Sequence, residues 1–311
     1  MRNQFFVAMI VTAAMVTAVS VATVPADAQA ARAPSRCPDD DPAAFHLCAM
    51  THARTFNPPR TPDGRPDFGG VWRRRATANE DVEAHPKTLD DSGGPSIVVD
   101  PPDGKVPMQP WADEYRKHSP EKYIHHNAAC FLSGAPATMY ITGLYQFLQT
   151  HDDFVILTEE VHAYRSIPLD RRPHIGKDIS LWQGDSRGRW DGNTLVIDTT
   201  NQKAIPWLDQ RARFFTEEAR VIERFTLVDA NTLHYEATID DPIVYTQPWK
   251  IAIPFRRITE PGMELWEENC YEGNELTMEH LRNIGLVINR GLSAREAREL
   301  KAAWEAREHR R

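Results

Sequence analysis

Trp182-Gln-Gly-Asp-Ser-Arg-Gly-Arg-Trp-Asp-Gly-Asn-Thr-Leu-Val-Ile-Asp-Thr-Thr200 decides the fold class. Asp191-Gly192-Asn193 divides Arg189–Trp190 from the β-branched run Thr194–Thr199. Glycine at that point supplies the positive φ that a tight hairpin turn needs. The pattern recurs on both sides. Downstream, Arg220–Val228, the turn Asp229-Ala230-Asn231 and Thr232–Ile239 form a second hairpin, and Pro248–Arg257 and Glu264–Asn269 read as two more strands. Upstream, Tyr145–Gln149 and Phe154–Ile167 flank the turn His151-Asp152-Asp153. About eight strands with short connections and no strand–helix–strand alternation predict a mainly β fold. The expectation is an antiparallel meander closing into a barrel.

Four regions surround and include that meander. Residues 1–30 combine a positive start, an apolar Ala/Val-rich stretch from Phe5 to Val24 and small-x-small sites at Ala26-Asp27-Ala28 and Ala28-Gln29-Ala30, the pattern of a secretory signal peptide. Residues 31–135 hold 14 of the 23 prolines. Proline removes backbone donors, so a loop-rich arm is expected there, with a strand opening at Val71–Trp72. Residues 136–272 are the barrel and residues 273–311 a helical segment. In that segment Ser293-Ala-Arg-Glu296 forms a capping box, and Ala297, Leu300, Ala303 and Trp304 share one face, expected to pack on the barrel.

The 311-residue chain carries a net charge of −8, which disfavours nucleic acid as a partner. Past the N-terminal segment no apolar run is long enough to span a bilayer, so stable membrane insertion after signal cleavage is not expected. The expected location is periplasmic or secreted. Cys37, Cys48, Cys130 and Cys270 fit an oxidising compartment. Of three possible pairings the favoured one is Cys37–Cys48 as a local clamp with Cys130–Cys270, whose long loop is worth about 4 kcal/mol on the chain-entropy model.

Catalytic signals are sparse. Gly184-Asp-Ser186-Arg-Gly188 matches a nucleophile-elbow pattern, but that chemistry needs a strand turning into a helix, and here a hairpin follows. His125–His126 are adjacent in a loop and reach one ion only with strain, so neither metal nor cofactor is expected. The richest segment is Thr158–His174. Read as one strand, it puts Glu160, His162 and Tyr164 on the face of Phe154, Ile156 and Thr158, at one end of an apolar cavity. His162 is then the acid or base, Glu160 its orienter and Tyr164 a donor. Arg165, Arg172 or His174 is an anion contact. Trp182, Trp190, Asp198, Glu223 and Tyr235 are the candidate substrate-lining residues.

Arg60-Thr-Pro-Asp-Gly-Arg-Pro-Asp-Phe-Gly-Gly-Val-Trp72, Arg172-Pro-His174, Trp182–Thr200 and Val221-Ile-Glu-Arg-Phe225 together resemble a broad family of exported bacterial β-rich proteins. The resemblance covers most of residues 55–272. It implies a secreted β domain and carries no activity with it. Gly70-Val-Trp72 is also similar to the G-x-W that opens lipocalin-like barrels, where the tryptophan plugs one end. That likeness implies a small apolar ligand and admits isomerase or cyclase activity. Two functions are expected from these readings. One is an exported lyase, isomerase or hydrolase using acid–base chemistry on a small hydrophobic or aromatic molecule. The other is a non-catalytic periplasmic carrier of such a molecule, of lipocalin-like type.

Overall fold

The computed structural model describes residues 37–311 except 77, 90 and 91. The expected signal peptide lies outside the described residues. Helix α1 (Pro42–His52) is followed by β1 (Gly70–Arg74), β2 (Val98–Asp100), α2 (Pro110–His118) and β3 (Tyr123–Ile124). The strands β4 (Tyr145–Gln149), β5 (Asp153–Thr158), β6 (Tyr164–Pro168), β7 (Asp185–Asp191), β8 (Thr194–Thr200), β9 (Arg220–Asp229), β10 (Thr232–Asp240) and β11 (Trp249–Arg257) come next. Helix α3 (Glu275–Asn283), β12 (Val287–Ile288) and α4 (Ala294–Glu308) complete the described chain. Nine antiparallel strands run β6-β5-β4-β1-β11-β10-β9-β8-β7 and form a nearly closed barrel, with β2 added beside β11. The barrel therefore takes one of its staves, β1, from the proline-rich arm.

Local sequence explains the hairpins. Gly192 has φ 60° in the two-residue connection of β7 to β8. Asp229 Oδ1 accepts from the Asn231 amide at 2.8 Å and shapes the β9–β10 turn. Inward parity is strict, and Val221, Phe225 and Leu227 of β9 face Ile239, Tyr235 and Leu233 of β10. Gly188 of β7 lies against β6. A Cβ there would meet Ile167 Cγ2 at 3.0 Å, so the missing side chain lets the two ends of the strand path approach.

The expected single strand Phe154–Ile167 is two strands. Thr158 Oγ1 donates to the carbonyls of Glu160 at 3.1 Å and Ala163 at 3.3 Å, which draws the backbone into a 3₁₀ turn over Glu160–His162. Strand β6 then returns antiparallel to β5, pairing Leu157 with Tyr164 and Asp153 with Pro168. Side-chain parity is reset by this turn. Arg165 and Ile167 point inward, and Tyr164 and Ser166 outward. Glu264–Asn269 is not a strand either. Its backbone runs across the turn, held by the Trp266 amide on Glu159 Oε1 at 3.0 Å and by Glu268 Oε2 on the Val161 amide at 2.9 Å.

The helical segment also differs in its contacts. The capping box Ser293–Glu296 forms as expected, but the Trp304 face of α4 meets α2, with its indole N–H on Glu114 Oε2 at 3.1 Å, in place of the barrel wall. Both favoured disulfides form, with Cα separations of 5.6 Å for Cys37–Cys48 and 5.7 Å for Cys130–Cys270.

The barrel interior is filled with side chains where the sequence suggests a hollow. Phe147, Phe154 and Tyr235 meet Phe225, and Phe255 meets Phe147 and Tyr235, in a cluster with ring separations of 5.0–6.5 Å. Trp72 is fully buried beside Phe147 at 6.0 Å, its indole N–H donating to the Phe68 carbonyl at 2.9 Å. The charged pair beside this cluster is Arg165 of β6 with Glu223 of β9. Arg165 donates to both carboxylate oxygens, at 3.0 and 2.5 Å, and to Ser186 and Thr199 at 3.0 and 3.3 Å, while Tyr235 donates to Glu223 at 2.9 Å. Arg165→Met strands a buried carboxylate, and we expect it to lower unfolding free energy by about 3–5 kcal/mol, with most of the loss recovered in Arg165→Met/Glu223→Leu. Urea unfolding of the two variants checks this.

Candidate functional site

The trio expected on one strand face is dispersed by the reset at the turn. Tyr164 is 69% exposed. The His162 side chain is 49% exposed, with Nε2 3.8 Å from Glu267 Oε1. Glu160 alone is buried, at 8% exposure. It does not orient His162. The turn that holds it is strained, because Val161 and His162 have φ of 55° and 50° and a β-branched residue seldom adopts that conformation.

Glu160 belongs instead to a chain of polar groups that reaches back to the segment before the Cys130–Cys270 disulfide. The Trp207 amide donates to His126 Nδ1 at 3.2 Å, so the neutral His126 ring carries its proton on Nε2. That N–H donates to Ser133 Oγ at 3.1 Å, and the Ser133 hydroxyl donates to Asn127 Oδ1 at 3.1 Å. Asn127 Nδ2 in turn donates to Glu160 Oε1 at 3.0 Å. Glu160 Oε2 is buried and has no partner among the described residues. Burial, and then the Glu268 carboxylate, push the Glu160 carboxyl up to about 8 against the opposing pull of Arg74. Burial also drives His126 well below its ordinary value and His125 to about 4. At neutral pH the string is uncharged, and it ends in a carboxylic acid whose Oε2 has no acceptor.

A cleft of ≈ 380 Å³ adjoins the turn. It is lined by Arg73, Arg74, Gly143, Glu159 and the exposed ring of Trp266, among others. The cleft meets the backbone of the turn, since a Cβ on Gly143 would sit 3.6 Å from the Glu160 amide nitrogen, while the Glu160 carboxyl lies buried behind it. The cleft therefore offers two guanidinium groups, the Glu159 and Glu264 carboxylates and an aromatic face, in front of the turn that carries Glu160.

The other expected residues are scattered. Arg165, Glu223 and Tyr235 form the interior pair and its hydroxyl partner, so they face packed side chains and no ligand space. His174 Nδ1 lies 2.8 Å from Asp185 Oδ2 and its Nε2 3.7 Å from Asp198 Oδ2, and Asp198 also pairs with Arg220. Arg172 is tied to Asp170 on the surface. Trp190 stacks on Phe68 at 5.5 Å. Trp182, against Phe131 at 5.1 Å, does line a cavity, one of ≈ 740 Å³ outside the barrel with Ile205, Leu286, Arg282 and Arg290. Ser186 points into the interior and bonds Thr199 and Arg165, as suits a strand residue. The sequence reading missed Asn127, Ser133 and the part played by His126, although the run from His125 to Ser133 is rich in groups able to pass a proton.

Neither a protein-family model nor a curated protein matches the chain. No helix among the described residues is long and apolar enough to cross a membrane.

The Glu160 shift has a consequence for stability. Between the usual 4.5 and about 8 the folded chain keeps a proton that the unfolded chain loses. Its contribution is therefore fully present below 4.5 and lost as pH rises through about 8. Glu160→Gln removes this dependence. Relative to wild type the variant gains on the order of 2–4 kcal/mol from pH 5 to pH 9, read from urea midpoints at the two pH values.

Proposed function

We propose that this protein is an exported catalyst that uses the acid–base chemistry of its own side chains on a small hydrophobic or aromatic molecule, with Glu160 as the acid. The observation that carries this reading is a buried carboxyl with a raised pKa and one oxygen unpartnered, in a turn whose backbone borders a cleft that can receive a ligand. Export is supported by the two disulfides, which form and persist in oxidising compartments.

In this mechanism Arg73 and Arg74 hold an anionic substituent and the Trp266 ring receives the apolar body. Glu160 delivers its proton to an oxygen on which negative charge develops, as in a lyase, isomerase or hydrolase step. The resulting carboxylate keeps the Asn127 N–H and gains from the nearby Arg74 charge.

A second reading, a non-catalytic binding protein for the same class of molecule, is favoured by one separate feature. The ≈ 740 Å³ cavity beside Trp182 is largely apolar in lining and carries Arg282 and Arg290 at its edge, which suits a hydrophobic anion.

The two readings part in one set of assays. Aryl esters, β-hydroxy acids and enolisable aryl ketones are offered to wild type, Glu160→Gln and Trp182→Ala, with 1-anilinonaphthalene-8-sulfonate as the binding probe. The catalytic reading expects turnover that falls as pH rises through about 8. It also expects a loss of about 10²–10⁴-fold in kcat in Glu160→Gln with affinity held within about tenfold. Unchanged turnover in Glu160→Gln overturns it. Probe binding that is lost in Trp182→Ala, with no turnover in any variant, leaves the carrier reading in its place.

A further inference from the structure

On the side of the barrel wall away from the interior, three Lewis bases from distant parts of the chain converge. His234 and Glu236 are two residues apart on β10, so both side chains leave the same outer face. Helix α1 lies over that face. Its Asp41 cap accepts the Ala43 and Ala44 amides at 3.0 Å, its Phe45 and Ala49 are buried, and Cys48 is tied to Cys37. These contacts bring His46 Nδ1 to 3.0 Å from His234 Nε2 and 3.8 Å from Glu236 Oε2. One ligand atom from each of the three residues falls within 4.8 Å of the others. The His234 ring is fixed by burial at 3% exposure and by Phe45 at 5.7 Å.

We propose that His46, His234 and Glu236 form a binding site for a first-row divalent transition ion of the zinc type, with one coordination position open to an exogenous ligand. Imidazole nitrogens and carboxylate oxygens bind zinc tetrahedrally at about 2.0–2.2 Å, which sets ligand atoms roughly 3.3–3.6 Å apart. The imidazole pair, at 3.0 Å, and Glu236 Oε2, at 3.8 Å from His46 Nδ1, bracket that spacing, and each reaches it by a shift of a few tenths of an ångström. Two histidines and one carboxylate with a free position is the donor set of catalytic zinc and of non-haem iron sites. An ordinary hydrogen bond between the two rings accounts for the 3.0 Å contact alone. Glu236 Oε2, 3.8 Å from the same nitrogen, brings a third donor atom to the pair.

The free position has somewhere to open. His234 and Glu236 line a cavity of ≈ 260 Å³ with Thr194, Thr226, Arg54 and Arg224. Arg54 lines this cavity beside Arg224, which pairs with Asp191 at 3.1 Å, and Lys250 Nζ lies 3.9 Å from Glu236 Oε1. Water or a small anion is therefore the class of molecule that completes the coordination. The site stands apart from Glu160 in its residues and is independent of the function proposed above.

The test uses the full chain, disulfides intact, stripped with a chelator and then titrated with zinc by calorimetry and with cobalt by visible absorption. The expected result is one ion per chain at micromolar affinity or tighter, weakened at least about tenfold in His46→Ala and in Glu236→Gln and unchanged in His151→Ala, a fully surface control. His46 is on the helix surface and partly exposed, so its loss leaves the core intact, and circular dichroism of the metal-free variants confirms the fold. If His46→Ala nevertheless unfolds, His46→Gln and Glu236→Gln carry the same comparison. Absence of zinc binding in wild type, or equal affinity in wild type and both ligand variants, overturns the proposal.

Discussion

A charged pair sealed inside the barrel organises the molecule. Arg165 and Glu223 are both buried, and neither can stay charged there without the other. The pair joins β6, at one end of the strand path, to β9, the third strand from the other end, and the Ser186 and Thr199 hydroxyls of β7 and β8 accept further hydrogen bonds from Arg165. A slip of one residue in β6 would turn Arg165 outward and leave Glu223 alone among phenylalanines, so the register of the closing strands follows from the pairing. Closure and charge neutralisation are one event.

That closure decides where chemistry can occur. With the interior occupied by aromatic rings and the ion pair, the spaces able to receive a molecule open at the rim and on the outer wall. The turn Glu160–His162 acts in both settings at once. By reversing parity it sends Arg165 inward, and by its two left-handed residues it tucks Glu160 under the Glu264–Glu268 segment while His162 stays in water. A local hydroxyl–carbonyl competition at Thr158 thus sets both the barrel's internal pair and the rim's buried acid.

The proline-rich arm has a constructive role. It inserts β1 between β4 and β11 and lays α1 against the far wall, and the Cys37–Cys48 bridge limits how that helix can move. The convergence of His46 with His234 and Glu236 depends on this packing, as the two histidines are 188 residues apart. The second disulfide does the same for the segment carrying Asn127, which lies against Cys270.

Strand periodicity, Asp-Gly and Asp-Ala-Asn turns, the Gly70–Trp72 opening and the helix cap at Ser293 are local signals, and from them the β class, the hairpins and the barrel were legible. The disulfide pairing was also within reach, because spacing separates a short loop from a long one. The reach of alternation ended at Thr158, where a side-chain hydrogen bond broke the strand. Beyond that point the facings expected of His162 and Tyr164 were displaced with it, and Glu160 alone stayed buried. The partner of Glu223, the string from His126 to Glu160 and the meeting of α1 with β10 join residues tens to hundreds of positions apart. Local propensity carries no record of such distances. They come into being when the barrel closes, since burial then makes each unpaired charge too costly to keep.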